Sequence, residues 1–111
     1  MRQSGILAAA ALYALECNLG RLVEDHEHAK LLAHRLSDCP TVRPSDPETN
    51  IVMLDLVREA DTADRVVPRL AQAGVLVVPF GARRLRAVTH LDVSRQDVER
   101  AAGVITRVLA E

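Results

Sequence analysis

Aromatic side chains are nearly absent. Tyr13 and Phe80 are the two in 111 residues, and there is no tryptophan. A core made without them must come from leucine, valine, isoleucine and alanine. With 49% hydrophobic residues the chain has enough of these for one real core. Lysine is scarcer still. Of 14 basic residues only Lys30 is a lysine; the bias itself reads as codon usage in a GC-rich genome. A chemistry needing a lysine amine as covalent anchor therefore has one residue to use. Cys17 and Cys39 are too few and too irregularly spaced for a disulfide framework or a zinc site, and read as free thiols in a reducing compartment. A basic excess is missing as well. The formal net charge of −1 argues against a nucleic-acid binder, which must neutralise phosphates. There is no glycine-rich phosphate loop, no G-x-S-x-G elbow, no Cys/His dyad of credible spacing and no internal repeat.

The apolar run at residues 6–15 follows Met1 and Arg2 in the manner of a signal peptide. The small residues Ala8 to Ala11 lie inside the run rather than after it, which is the wrong place for cleavage, and Glu16 spoils a lipoprotein-type site at Cys17. The run is too short to span a membrane. It is expected to form a buried helix of a cytoplasmic chain.

Periodicity assigns most of the remainder. Residues 6–36 read as helix, with an interruption near Asn18 to Gly20; from Leu22 onward the apolar stripe is Leu22, His26, Ala29, Ala33 and Leu36, with Leu32 at its edge. Residues 37–49, with Pro40, Pro44 and Pro47, read as loop. NIVMLDLV at 50–57 reads as a strand buried on both faces for most of its length. Residues 62–73 read as a helix with Thr62 as cap and a stripe of Ala63, Val66, Val67, Leu70 and Ala71. Pro68 requires either a kink or a start near Val67, and Gly74 is placed to end the helix. The stretch from Gly74 to Ile105 then organises the chain. An apolar run, Val75 to Val78, stops at Pro79. A turn at Gly81 carries Arg83 and Arg84, and a β-rich run covers Leu85 to Thr89. A helix starts at Ser94, with Asp97 completing a capping box and Val98, Ala101, Ala102, Ile105, Val108 and Leu109 as its stripe. The order α-β-α-β-β-α predicts an α+β domain: a long N-terminal helix (residues 1–36), then a small domain (37–111) whose three-stranded sheet is covered by helices on one face. The other face and the apolar first helix would want a partner.

Four groups of residues are candidates for chemistry. Asp25, His26, Glu27 and His28 have metal-ligand composition, yet His26 and His28 point to nearly opposite sides of a helix, so a solvated face is the reading and no metal site is assigned. His90 and Asp92 lie just past a strand end. They are either an acid/base pair or alternate residues that share a face by geometry alone. Arg83 and Arg84 read as a solvated hairpin tip. Arg86 is the misfit, a guanidinium on a strand face shared with Val88 and His90. It is either an edge-strand arginine facing water or a group that grips a carboxylate with two parallel hydrogen bonds.

Three strings, MRQSGILAAAALYALE, TNIVMLDL and GVLVVPFGARRLRAVTHLDVSRQDVERA, resemble the C-terminal part of low-specificity L-threonine aldolases, fold-type-I enzymes that use pyridoxal 5′-phosphate. The resemblance covers nearly the whole chain. It implies a retro-aldol cleavage of threonine or allo-threonine to glycine and acetaldehyde, with the cofactor as electron sink, in a cytoplasmic homo-oligomer. It implies that Arg86, in the R-x-V-T-H motif, holds the substrate carboxylate, and that Arg2, in M-R-Q-S-G, lies near the cofactor phosphate across a subunit interface. No catalytic residue is assigned. The cofactor-binding lysine of the family belongs to a large N-terminal domain that these residues do not include, and Lys30 is in the wrong segment to replace it. The expectation is a small domain that does not catalyse the reaction alone. The alternative is a stand-alone interaction module, or a degenerate gene product, that dimerises through residues 6–15.

Overall fold

The computed structural model describes residues 2–111. Helix α1 (Ser4–Cys17) leads through a 3₁₀ turn (Leu19–Arg21) into α2 (Leu22–Leu36), with a bend of 55° between them. The expected interruption near Asn18 is therefore present. Strands β1 (Val42–Pro44) and β2 (Ile51–Leu56), helix α3 (Ala63–Gln72), strands β3 (Val78–Pro79) and β4 (Arg84–Val88) and helix α4 (Arg95–Ala110) follow. Among the described residues no single helix is long and apolar enough to cross a membrane, although the bent pair of α1 and the helix after it matches a span in length and composition.

The α+β class holds, but the sheet has four strands in the order β1-β2-β4-β3, every pair antiparallel. The extra strand, β1, lies in the proline-rich segment expected to be loop. Its position explains the miss. Proline is excluded from the interior of a sheet, but an edge strand tolerates it because one row of its N–H groups has no partner to lose. The ladder is extended at either end of β1, where Val57 N–H donates to Thr41 C=O (3.1 Å) and Ser45 N–H to Met53 C=O (2.8 Å). The opposite edge, β3, is shorter than the apolar run suggested and also ends in a proline, Pro79.

Strand β2 is not buried on both faces as expected. Val52, Leu54 and Leu56 are buried, whereas Ile51, Met53 and Asp55 point to the other side. Strand β4 continues this division, with Leu85 and Ala87 inside and Arg84, Arg86 and Val88 outside. One core results. It joins Leu32 and Leu36 of α2, Val66 and Leu70 of α3 and Ile105 and Leu109 of α4 to the inner face of the sheet. The Arg35–Glu99 ion pair (2.9 Å) ties α2 to α4 across their solvent edge.

The helix starts follow the residues. Ser94 Oγ accepts from Asp97 N–H (3.1 Å) and the Asp97 carboxylate accepts from Ser94 N–H (3.0 Å), so the expected capping box is complete. Thr62 occupies the cap position of α3 with extended backbone, but its side chain makes no capping bond. Helix α3 starts at Ala63, not near Val67, and holds Pro68 inside it. Gly74, at φ 90°, ends that helix by a left-handed turn that a side chain would strain. At the far end of α4 the guanidinium of Arg58 donates to Leu109 C=O and that of Arg69 to Val108 C=O, supplying partners for carbonyls that a helix terminus leaves free. In the stripes, Leu32 is buried and Leu22 exposed, Ala71 is exposed, and Val104 joins the buried face of α4.

The larger correction concerns α1. It was expected to be buried on most sides, yet none of its residues is buried, and Ile6 and Leu15 are 69% and 62% exposed. The rest of the domain does not cover this helix.

Candidate functional site

The face of the sheet that the helices leave open is the candidate site. Antiparallel register sets its layout. Arg86 on β4 stands between Met53 on β2 and Val78 on β3, and Arg84 stands opposite Asp55. Arg43 on β1 is opposite Asp55 on its other side. Ile51 and Val88 form the next rung. The face is thus apolar at one end and charged at the other, with Arg86 where the two meet.

Arg86 is not the edge-strand arginine of the first alternative. Strand β4 is interior, flanked by β2 and β3. The side chain is half-buried, with its guanidinium carbon 5.5 Å from the centroid of the Phe80 ring. Its Nε is sealed from solvent and has no hydrogen-bond partner. No carboxylate pairs with it among the described residues. A buried donor without an acceptor carries a desolvation cost.

Its neighbour behaves differently. Arg84 meets Asp55 in a two-pronged pair, Nε to Oδ1 at 2.5 Å and Nη2 to Oδ2 at 3.1 Å. The hydrogen bonds from Arg84 hold the Asp55 carboxyl below the usual carboxylate range, and the bonded carboxylate raises the Arg84 guanidinium. Arg83 donates to the carbonyls of Leu56 (3.0 Å) and Val57 (2.6 Å) at the end of β2. Both arginines are exposed at the hairpin, as the sequence suggested, but each is hydrogen-bonded back to β2. Both are spent on the sheet, which singles out Arg86. The sequence held one signal for this, since Asp55 is the single charge within NIVMLDLV. It held none for Phe80, whose link to Arg86 depends on the β3–β4 hairpin.

The other candidates do not converge. His90 Nδ1 accepts from the backbone N–H of Asp92 (3.2 Å), so the contact is a local turn rather than a carboxylate–imidazole pair. His28 Nδ1 is buried without a partner, and no group of three metal-ligating side chains forms among the described residues. Arg2 is exposed in the turn ahead of α1, on a separate element from Arg86. The one lysine, Lys30, is exposed on α2. These residues do not by themselves make a site for pyridoxal 5′-phosphate. They offer one unpaired guanidinium suited to a carboxylate and no amine beside it.

The Beta-eliminating lyase family matches residues 1–59, more than half of the chain. The chain belongs to that family. Pyridoxal 5′-phosphate is the cofactor that goes with beta-eliminating lyases of this kind. A probable low-specificity L-threonine aldolase 2 of Arabidopsis thaliana is 39% identical over 102 residues, covering 89% of this chain and 29% of the relative. The low specificity L-threonine aldolase of Escherichia coli K12 is 38% identical over 103 residues, covering 92% of this chain and 29% of the relative. The chain therefore spans less than a third of the length of the curated relatives that it matches. The family match ends before β4, but the alignments to the aldolases are long enough to include Arg86. Nothing in this similarity favours the alternative of a stand-alone interaction module or degenerate gene product.

Proposed function

We propose that these residues form the C-terminal domain of a pyridoxal 5′-phosphate-dependent L-threonine aldolase, and that Arg86 is its substrate-carboxylate anchor. The observation that carries the role is the state of Arg86, an interior-strand guanidinium on the open face that no carboxylate of the described residues pairs with. The similarity to low-specificity L-threonine aldolases supports the reaction class. Arg86 supplies a fixed positive charge and a planar fork that binds the amino-acid carboxylate and orients the bond to be broken. Arg2 adds a cation toward the cofactor phosphate from the turn before α1. The remaining groups, above all the cofactor-binding lysine, come from a large domain packed on the open face and on α1, in a homo-oligomer.

The test is glycine formation from L-threonine and L-allo-threonine with added cofactor. The 111-residue chain alone is expected to form none, whereas a fusion to the large domain of an aldolase relative is expected to be active. Glycine from the chain alone would refute the requirement for a second domain. In the fusion, Arg86→Ala should raise KM strongly for the amino acid, and an unchanged KM would remove Arg86 from the site.

A further inference from the structure

Resting on that reading of Arg86, we infer that Phe80 is a positioning residue that fixes the plane of the Arg86 guanidinium and leaves its two terminal nitrogens as the carboxylate-binding fork. Three observations lead there. The ring centroid of Phe80 lies 5.5 Å from the guanidinium carbon, within the range where an arginine is drawn to an aromatic face. Arg86 Nε is sealed from solvent with no acceptor, so the side-on fork through Nε is closed. Neither terminal nitrogen is sealed in this way or bonded to another described residue, so the end-on fork remains free. An arginine side chain has several rotatable bonds and loses conformational entropy when a ligand immobilises it. A ring already in contact with the guanidinium removes part of that loss before the ligand arrives.

The hairpin makes Phe80 dependable in this role. Its N–H donates to Arg84 C=O (2.8 Å), which pins the ring's backbone to the strand that carries Arg86. Gly81 follows at φ 136°, a conformation open to glycine that lets the chain turn directly after the ring. Phe80 is one of only two aromatic residues in the chain, and it is 50% exposed although it makes no contribution to the core.

The experiment uses the 111-residue chain labelled with nitrogen-15, following the Arg86 side-chain Nε–H signal, with sodium acetate as the carboxylate probe. In the wild-type chain the Arg86 Nε–H and neighbouring methylene protons are expected upfield of the other arginines because they sit against an aromatic ring. Phe80→Leu should return them to ordinary positions, and Phe80→Trp should keep the displacement. Acetate should perturb Arg86 selectively, and Phe80→Leu should weaken that binding roughly two- to fivefold, with Phe80→Trp restoring it. An Arg86 signal unmoved by Phe80→Leu, with backbone spectra showing the variant folded, would overturn the positioning role while leaving the carboxylate reading intact. A displaced signal that acetate does not perturb would overturn the carboxylate reading and, with it, the purpose assigned to the ring.

Discussion

Leu54 and Ile51 lie on the same strand and face opposite ways, so truncating each in turn measures which face the helices cover. Leu54 is 0% exposed and Ile51 is 38% exposed. Cutting Leu54 back to alanine removes three carbon atoms, roughly 2.4 kcal/mol of transfer at about 0.8 kcal/mol each. A cavity term adds to this because Leu85, Leu70 and Ile105, in the same buried cluster, cannot collapse fully onto the gap, so the total is expected at about 3–5 kcal/mol. Ile51→Ala removes an equal number of carbons from a side chain that is already partly hydrated and opens onto solvent. With about three-fifths of the transfer and no closed cavity, it should cost about 1.5 kcal/mol. Urea unfolding followed by circular dichroism gives both values as shifts of midpoint at constant slope. Equal losses, or a larger loss for Ile51→Ala, would mean that the covered and open faces have been assigned the wrong way round.

Other outcomes follow from individual contacts. The folded-state pKa of Asp55 is lowered by Arg84, so its contribution to stability should be complete above the ordinary carboxylate value and disappear as pH falls through the lower folded value; the stability difference between wild type and Asp55→Asn, measured from pH 7 to pH 2, should narrow only in that acid window. Ser94→Ala breaks the capping box and should destabilise by about 1 kcal/mol in thermal or urea unfolding, and no change would show that α4 does not depend on its cap. Changing Leu12 and Leu15 to glutamate on the uncovered α1 should reduce self-association in light scattering without lowering the unfolding midpoint, since neither residue is buried in the chain; a lowered midpoint would place α1 inside the fold.

Period and punctuation carried most of the fold. The Ser94 capping box, the stop at Gly74, the break near Asn18 and the stripes of α2 and α4 are local features, and local sequence specifies them. The misses are non-local. Strand β1 was hidden because its prolines argue for loop unless the strand is known to be an edge. One uncovered face of the sheet was expected, but its residues on β2 were hidden because Ile51 and Met53 are apolar and read as core. Asp55 and Arg84 are 29 residues apart in the chain, so their pairing waits on the register of β2 against β4. Arg86 was legible as a misfit, since a charge at that place in an apolar strand stands out in any register. Phe80 was not, because only the hairpin brings its ring over the guanidinium. The exposure of α1 was legible only as a need for a partner, since an all-round apolar helix says that it needs cover and not who provides it.

The two prolines at the sheet edges govern how such chains can go wrong. Strands β1 and β3 are three and two residues long, and Pro44 and Pro79 sit within them. Each proline lacks the N–H that a newly arriving strand would have to bond, and such short edges offer little template. Growth of the sheet from one molecule into the next is therefore blocked on both sides. Chains brought together by an uncovered α1 should cluster through helix contacts and remain dispersible. They should not ripen into cross-β fibrils, and thioflavin fluorescence should stay flat as the clusters grow.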